Sequence, residues 1–260
     1  MLAFRRILYL FYIGTYLARM HIVSYIASII NSLLWFLVIF GPTLMFSPDP
    51  VRALRTFLPG TLAFTAASVG MWVSTEFLRW YVYHGLTDMF RECGLNVFHY
   101  LVLGVHIDVL VHVVLSYFLI AAAASFYVVS DIGLILPSNA LLFIIAVILA
   151  IATYILCGAL LALLYTITPL GGVWTNIIQM AVLVGTIIPP TILPRPELAL
   201  INPATIVAEL VRASYGTNII SVDLLIPLTP ILFITYIILG YLISKLCEKH
   251  IARYGIRYRM

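Results

Sequence analysis

The sequence predicts an all-α integral membrane protein, organised as one domain over residues 1–260. Three observations predict it. Hydrophobic residues make up 63% of the chain and charged residues 9%, where a soluble domain carries about a quarter charged. Apolar runs long enough to span a bilayer recur from end to end and lack the polar face of a soluble helix. Proline, glycine and charge collect in the short segments between those runs.

Residues 1–20 form a separate element. Arg5, Tyr9, Tyr12, Tyr16 and Arg19 recur at steps of four and three, which puts a tyrosine stripe with an arginine at each end on one helix face. Phe4, Leu8 and Phe11 lie beside it. Such a helix suits the membrane interface, where both residue types reach water. A cleaved signal peptide is the competing reading, but the run lacks a clear small-x-small cleavage site.

Six transmembrane helices follow, over 23–46, 57–79, 99–129, 139–167, 172–193 and 226–246. With both termini in the cytoplasm, the inner side holds Arg5, Arg6, Arg19, Arg79, Arg91, Lys245, Lys249, Arg253, Arg257 and Arg259. The outer side then holds Arg52, Arg55, Arg195 and Arg212, a clear positive-inside bias. The net charge of +4 therefore reports topology and an affinity for anionic lipid, and implies no nucleic-acid partner. Cys93, Cys157 and Cys247 follow no metal spacing, and none falls on the external side, so no disulfide framework is expected.

The second span, "FLPGTLAFTAASVGMWVSTEF" (57–77), places Gly60, Ala63, Ala66, Ala67 and Gly70 where helices could approach closely. After it comes a structured cytoplasmic stretch, 80–98. Thr87 can cap a short helix over "DMFRECG" (88–94) that stops at Gly94, and Asn96 starts the next span. Met89, Phe90 and Cys93 form its apolar knob, and Asp88, Arg91 and Glu92 its charges. That pattern fits either a docking surface for a cytosolic protein or a hairpin turn packed on its own bundle.

In the third span "VHIDVLVH" (105–112) carries His106, Asp108 and His112. Ionisable groups inside a membrane point to function. Their spacing scatters around a helix and matches no zinc motif, so pairing of Asp108 with a nearby histidine or arginine is the simpler expectation. The fifth span places Thr175, Asn176, Gln179 and Thr186 in an apolar setting, lining a wet cavity or bonding neighbouring helices. Neither of the two lysines follows a glycine-rich loop, so a phosphate-cradling P-loop is impossible, the chain is not expected to hydrolyse ATP by that route, and any ATP-driven work needs a partner.

An external segment, 194–225, follows the prolines at 189, 190 and 194. Within it "INPATIVAELVRASYG" (201–216) reads as a capped helix: Asn202 as N-cap, Pro203 at the first position, Gly216 near the end. Ile206, Val207, Leu210 and Val211 share one face, and Thr205, Glu209 and Arg212 another. About 18 Å long, it is too short to cross a bilayer.

Together these pieces resemble the membrane subunits of type-2 ABC exporters, the ABC-2 permeases, over nearly the whole chain. The resemblance rests on "PGTLAF" (59–64), "EFLR" (76–79) followed by "GLTDM" (85–89), "GTIIPPTILP" (185–194) and "INPATIVAELVRASYG" (201–216), in that order and spacing. Two features depart from the family pattern: Ile187 and Ile188 replace an aromatic residue before the proline, and "GLNVFHY" (94–100) replaces a Pro-hydrophobic-Ser turn.

The resemblance implies a plasma-membrane permease that pairs with a second permease and a separate cytosolic ATPase, through which alone ATP and Mg would act. It implies a coupling helix at Asp88, Met89, Phe90, Arg91 and Glu92. It also implies a partly re-entrant external lid and pathway formed by Thr175, Gln179, Thr186, Pro189, Pro190, Glu209 and Arg212. On that reading Glu209 and Arg212 can be replaced with assembly intact. The readings from other classes are an intramembrane enzyme using His106, Asp108 and His112, a passive channel, and an assembly factor.

Overall fold

The computed structural model describes residues 2–20, 22–84, 94–126, 135–168 and 171–255. Among the described residues the chain is helical throughout, without strands. The helices are α1 (Leu2–Met20), α2 (Ile22–Phe46), α3 (Pro50–His84), α4 (Val97–Ala124), α5 (Ala140–Ile167), α6 (Gly171–Ile187), α7 (Thr205–Ser214) and α8 (Val222–Tyr254). Among the described residues four are long and apolar enough to cross a membrane: Pro50–Leu78 of α3, α4, α5 and α8. The apolar stretches Tyr25–Val38 of α2 and Gly172–Ile187 of α6 are shorter.

Each of the six segments expected to span contains one helix, with changed limits. The second helix begins at Pro50, seven residues before the expected 57, because Asp49 accepts the Arg52 N–H at 2.9 Å and starts the helix there. The fifth ends at Ile187 and not 193, since neither Pro189 nor Pro190 can donate into the ladder. The other helix starts have physical causes too. Asn96 accepts the His99 N–H at 2.9 Å, and Asn139 accepts the Leu142 N–H at 3.1 Å. The candidate coupling residues Asp88, Met89, Phe90, Arg91 and Glu92 lie outside the described residues.

α3 and α5 form the centre. Ala63, Ala66 and Ala67 of α3 are fully buried, as are Ala146, Ala150 and Ala159 of α5. Two glycines set how close these helices come. A Cβ on Gly70 would run into the Tyr154 carbonyl, and one on Gly158 would meet the Gly70 carbonyl at 2.7 Å. α1 lies against the start of α4: Leu10 is buried, and a Cβ on Gly14 would strike the Leu103 carbonyl. Tyr9, Tyr12 and Tyr16 remain exposed as one outward stripe. α8 packs on α5 through Tyr236, Gly240, Ser244 and Cys247, and turns Ile231, Ile234, Ile238 and Leu242 outward.

The glycine contacts yield a test. Alanine in a helix interior is ordinarily more stable than glycine, by roughly 0.5–1 kcal/mol. Gly70→Ala reverses that sign, because the colliding atom is backbone: we expect a loss of about 1–3 kcal/mol, read as a lowered unfolding midpoint in detergent. An unchanged or raised midpoint contradicts the α3–α5 contact.

Candidate functional site

Where α6 stops, its last-turn carbonyls lose their intrahelical donors. The usual donor to the Gly185 carbonyl would be residue 189 and to the Thr186 carbonyl residue 190, and both are proline. Two side chains from the α7 segment fill these places. The Thr205 hydroxyl donates to the Gly185 carbonyl at 2.7 Å, and Arg212 Nη2 donates to the Thr186 carbonyl at 2.8 Å. One turn earlier Asn202 Nδ2 donates to the Ala181 carbonyl at 2.7 Å.

Arg212 also reaches α3, where its Nε donates to the Thr56 carbonyl at 3.1 Å. Pro59 interrupts the α3 ladder at this level, since it has no N–H for the carbonyl four residues before it. The remaining nitrogen, Nη1, meets Glu209 Oε1 at 2.5 Å. The second carboxylate oxygen, Oε2, accepts the backbone N–H groups of Ile219 and Ile220, both at 2.9 Å. Arg212 and Glu209 are each 0% exposed. An ion pair this deep is tolerated only when its polar atoms find partners, and here each nitrogen of the Arg212 guanidinium and both oxygens of Glu209 have one.

The helix carrying the pair differs from the sequence expectation at its start. Asn202 is not the N-cap: α7 starts at Thr205 after Ala204, while Asn202 Oδ1 accepts the Ala204 N–H at 3.1 Å in a turn that also contains Pro203. The polar face of α7 is buried, as is every residue from Thr205 to Ser214. The polar groups face carbonyls and loop amides of the same protein. The helix end does follow expectation. Gly216 adopts φ +69°, the Thr217 N–H bonds the Arg212 carbonyl at 2.9 Å, and the Gly216 N–H bonds the Ala213 carbonyl at 3.1 Å, a Schellman closure.

The turn before α5 is fastened to the same helix end. The Asn139 N–H and the Ser138 hydroxyl both donate to the Ser214 carbonyl, at 2.9 and 2.8 Å. The Tyr215 hydroxyl donates to the Ile135 carbonyl at 3.3 Å, and burial raises its phenol above the ordinary value, so it stays neutral.

The structure thus gathers Thr186, Pro189, Pro190, Glu209 and Arg212 at one end of α6. Thr186 is fully buried, and its hydroxyl donates to the Val182 carbonyl at 2.8 Å. Thr175 and Gln179 stand apart. Thr175 shares a 2.9 Å hydrogen bond with Tyr165 of α5, and Gln179 is half-buried two turns from the clamp. Sequence reasoning missed Thr56, and it marked Gly60 for a close approach without identifying the Thr186 carbonyl that a Cβ there would strike. The available signal was the proline pair, which orphans two specific carbonyls.

The third-span residues form a second polar cluster. Asp108 opens a π-helical segment of α4, Asp108–Leu115, and its expected histidine or arginine partner is replaced by two tyrosines. Tyr25 of α2 donates to Oδ1 at 3.2 Å, and Tyr154 of α5 donates to Oδ2 at 2.9 Å. The His112 ring stacks on Tyr25 with centroids 4.5 Å apart, while His106 lies elsewhere, its Nε2 3.0 Å from the Thr15 hydroxyl of α1. Among the described residues no three His, Cys, Asp or Glu side chains converge as metal ligands. No protein-family model matches the chain, and no curated protein or solved structure matches it either.

Full burial revises the expectation that Glu209 and Arg212 can be exchanged with assembly intact. Arg212→Met and Glu209→Leu should each cost about 3–5 kcal/mol by stranding the opposite charge. The double variant should cost clearly less than the sum of the two. Unfolding midpoints of the four proteins in one detergent check this, and strict additivity contradicts the pairing.

Proposed function

We propose that this chain is the membrane permease subunit of an ATP-driven exporter of the ABC-2 type. The observation that carries the reading is the segment after α6. A proline pair ends the helix, and the chain returns as a short buried helix seated on both α6 and α3. A span that stops short and is followed by a fixed helical cover suits a lid over a pathway between subunits. The order and spacing of "PGTLAF", "EFLR…GLTDM", "GTIIPPTILP" and "INPATIVAELVRASYG" support the same reading.

In this proposal six helices span the plasma membrane with both termini in the cytoplasm, and α1 lies in the interface with its tyrosines outward. Asp88, Met89, Phe90, Arg91 and Glu92 form the coupling helix that a cytosolic ATPase grips. Nucleotide-driven closure of two such ATPases shifts the paired permeases between inward- and outward-open states. Thr175 and Gln179 face the pathway, and the Glu209–Arg212 clamp positions the lid around Thr186, Pro189 and Pro190. The permease itself performs no covalent chemistry, and ATP and Mg act in the partner.

Purification of the tagged protein in mild detergent tests the reading. We expect a stoichiometric P-loop ATPase with vanadate-sensitive turnover. Changing both Met89 and Phe90 to Asp should remove at least about nine-tenths of that partner, since two charges replace an apolar knob, with an unchanged elution profile of the permease. A partnerless oligomer in several detergents, or undiminished co-purification of the double variant, contradicts the assignment.

A further inference from the structure

The Asp108 cluster is not used by the exporter reading, and its construction is specific. Asp108 is 6% exposed, in a helix apolar enough to span a membrane. It opens the π-helical segment, a backbone form concentrated at functional sites. Its carboxylate folds back along the helix onto Gly104, where an added Cβ would meet Oδ2. Each carboxylate oxygen accepts one tyrosine hydroxyl, and no basic side chain among the described residues pairs with it.

Two neutral donors do not offset the cost of an isolated charge in an apolar medium, whereas a carboxylic acid carries no such cost. The groups around Asp108 can accommodate either form. The titratable side chains facing it among the described residues are Tyr25 of α2, Glu76 of α3, Tyr154 of α5, and Tyr100 and His112 of α4 itself. Tyr154 is fully buried, and its backbone is gripped by Gly70, so its hydroxyl is the fixed partner. Tyr25 is only half-buried and its bond is longer, 3.2 Å against 2.9 Å. Beside it the buried Nδ1 of His112 has no hydrogen-bond partner among the described residues.

We propose that Asp108 is an intramembrane proton-binding site, with Tyr154 as its fixed donor and Tyr25 as the partner that reverses. The proton adds to Oδ1. The new O–H donates to the Tyr25 oxygen, and the tyrosine hydroxyl hydrogen turns away toward the His112 side. Tyr25 is a polar tie between α2 and α4, so proton binding and the seating of α2 are linked. Whatever Tyr25 contributes to the proton affinity, the proton contributes to the hold on α2 by the same factor. The proposal does not depend on an ATPase partner.

Infrared difference spectroscopy of the purified protein in lipid nanodiscs, titrated from about pH 4 to pH 9, tests it. The wild type should show a protonated-carboxyl C=O band that fades as pH rises and is absent in Asp108→Asn. Tyr25→Phe keeps the ring that stacks on His112 and removes the hydroxyl, whose hydrogen bond to the charged form is stronger than the one it accepts from the neutral acid. It should move the pH at which the band fades upward by about one unit or more. Tyr154→Phe should do the same. A wild type with no titrating band, a band that persists in Asp108→Asn, or midpoints unmoved in both tyrosine variants overturns the proposal. Should Asp108→Asn fail to fold, the two tyrosine variants decide.

Discussion

The buried pair of Glu209 and Arg212 is the constraint on which the non-spanning part of the structure depends. A guanidinium has five N–H donors in a rigid fork and no way to lose its charge. Here that fork is divided among a carboxylate, the end of α6 and the first turns of α3. The carboxylate in turn holds two amides of the stretch leading into α8. Four segments distant in sequence are therefore fixed by one charge pair. Removing the pair from water is costly, and the cost is offset only because its polar atoms find partners. An apolar helix in the same place could pack, but it would leave the carbonyls orphaned by Pro189 and Pro190 without donors.

The pair acts through a close-packed frame. Gly60 lets α3 meet the very carbonyl, that of Thr186, that Arg212 holds. Ten residues further along α3, about 15 Å away, Gly70 meets the backbone of Tyr154, whose hydroxyl holds Asp108. The small-residue face of α3 thus positions a polar cluster at each end.

Much of this was legible in the sequence. Hydropathy located the helices, Asn96 and the Gly216 stop were readable from capping chemistry, and the small residues of 60–70 marked a close approach. Periodicity also separated the apolar and polar faces of α7, but it says which residues share a face and nothing about what that face meets. Glu209 and Arg212 were therefore read as lid residues replaceable with assembly intact, when they are interior. Asn202 was misplaced because its side chain has two competing uses, capping a helix start or closing a turn, and the long-range bond to Ala181 selects the turn. The tyrosine partners of Asp108 were illegible because they come from positions 83 residues before it and 46 after it. The proline pair was the overlooked signal, because a proline four residues after a helical carbonyl removes its donor.

Amide hydrogen exchange over residues 217–221 is the most direct measure of the central claim. The Ile219 and Ile220 amides lie in irregular backbone, where exchange would ordinarily be fast, yet both donate to a fully buried carboxylate. The account predicts protection at these two amides comparable to that of α7, lost in Glu209→Gln as the pair with Arg212 weakens. Fast exchange in the wild type, at the rate of an exposed loop, would contradict it.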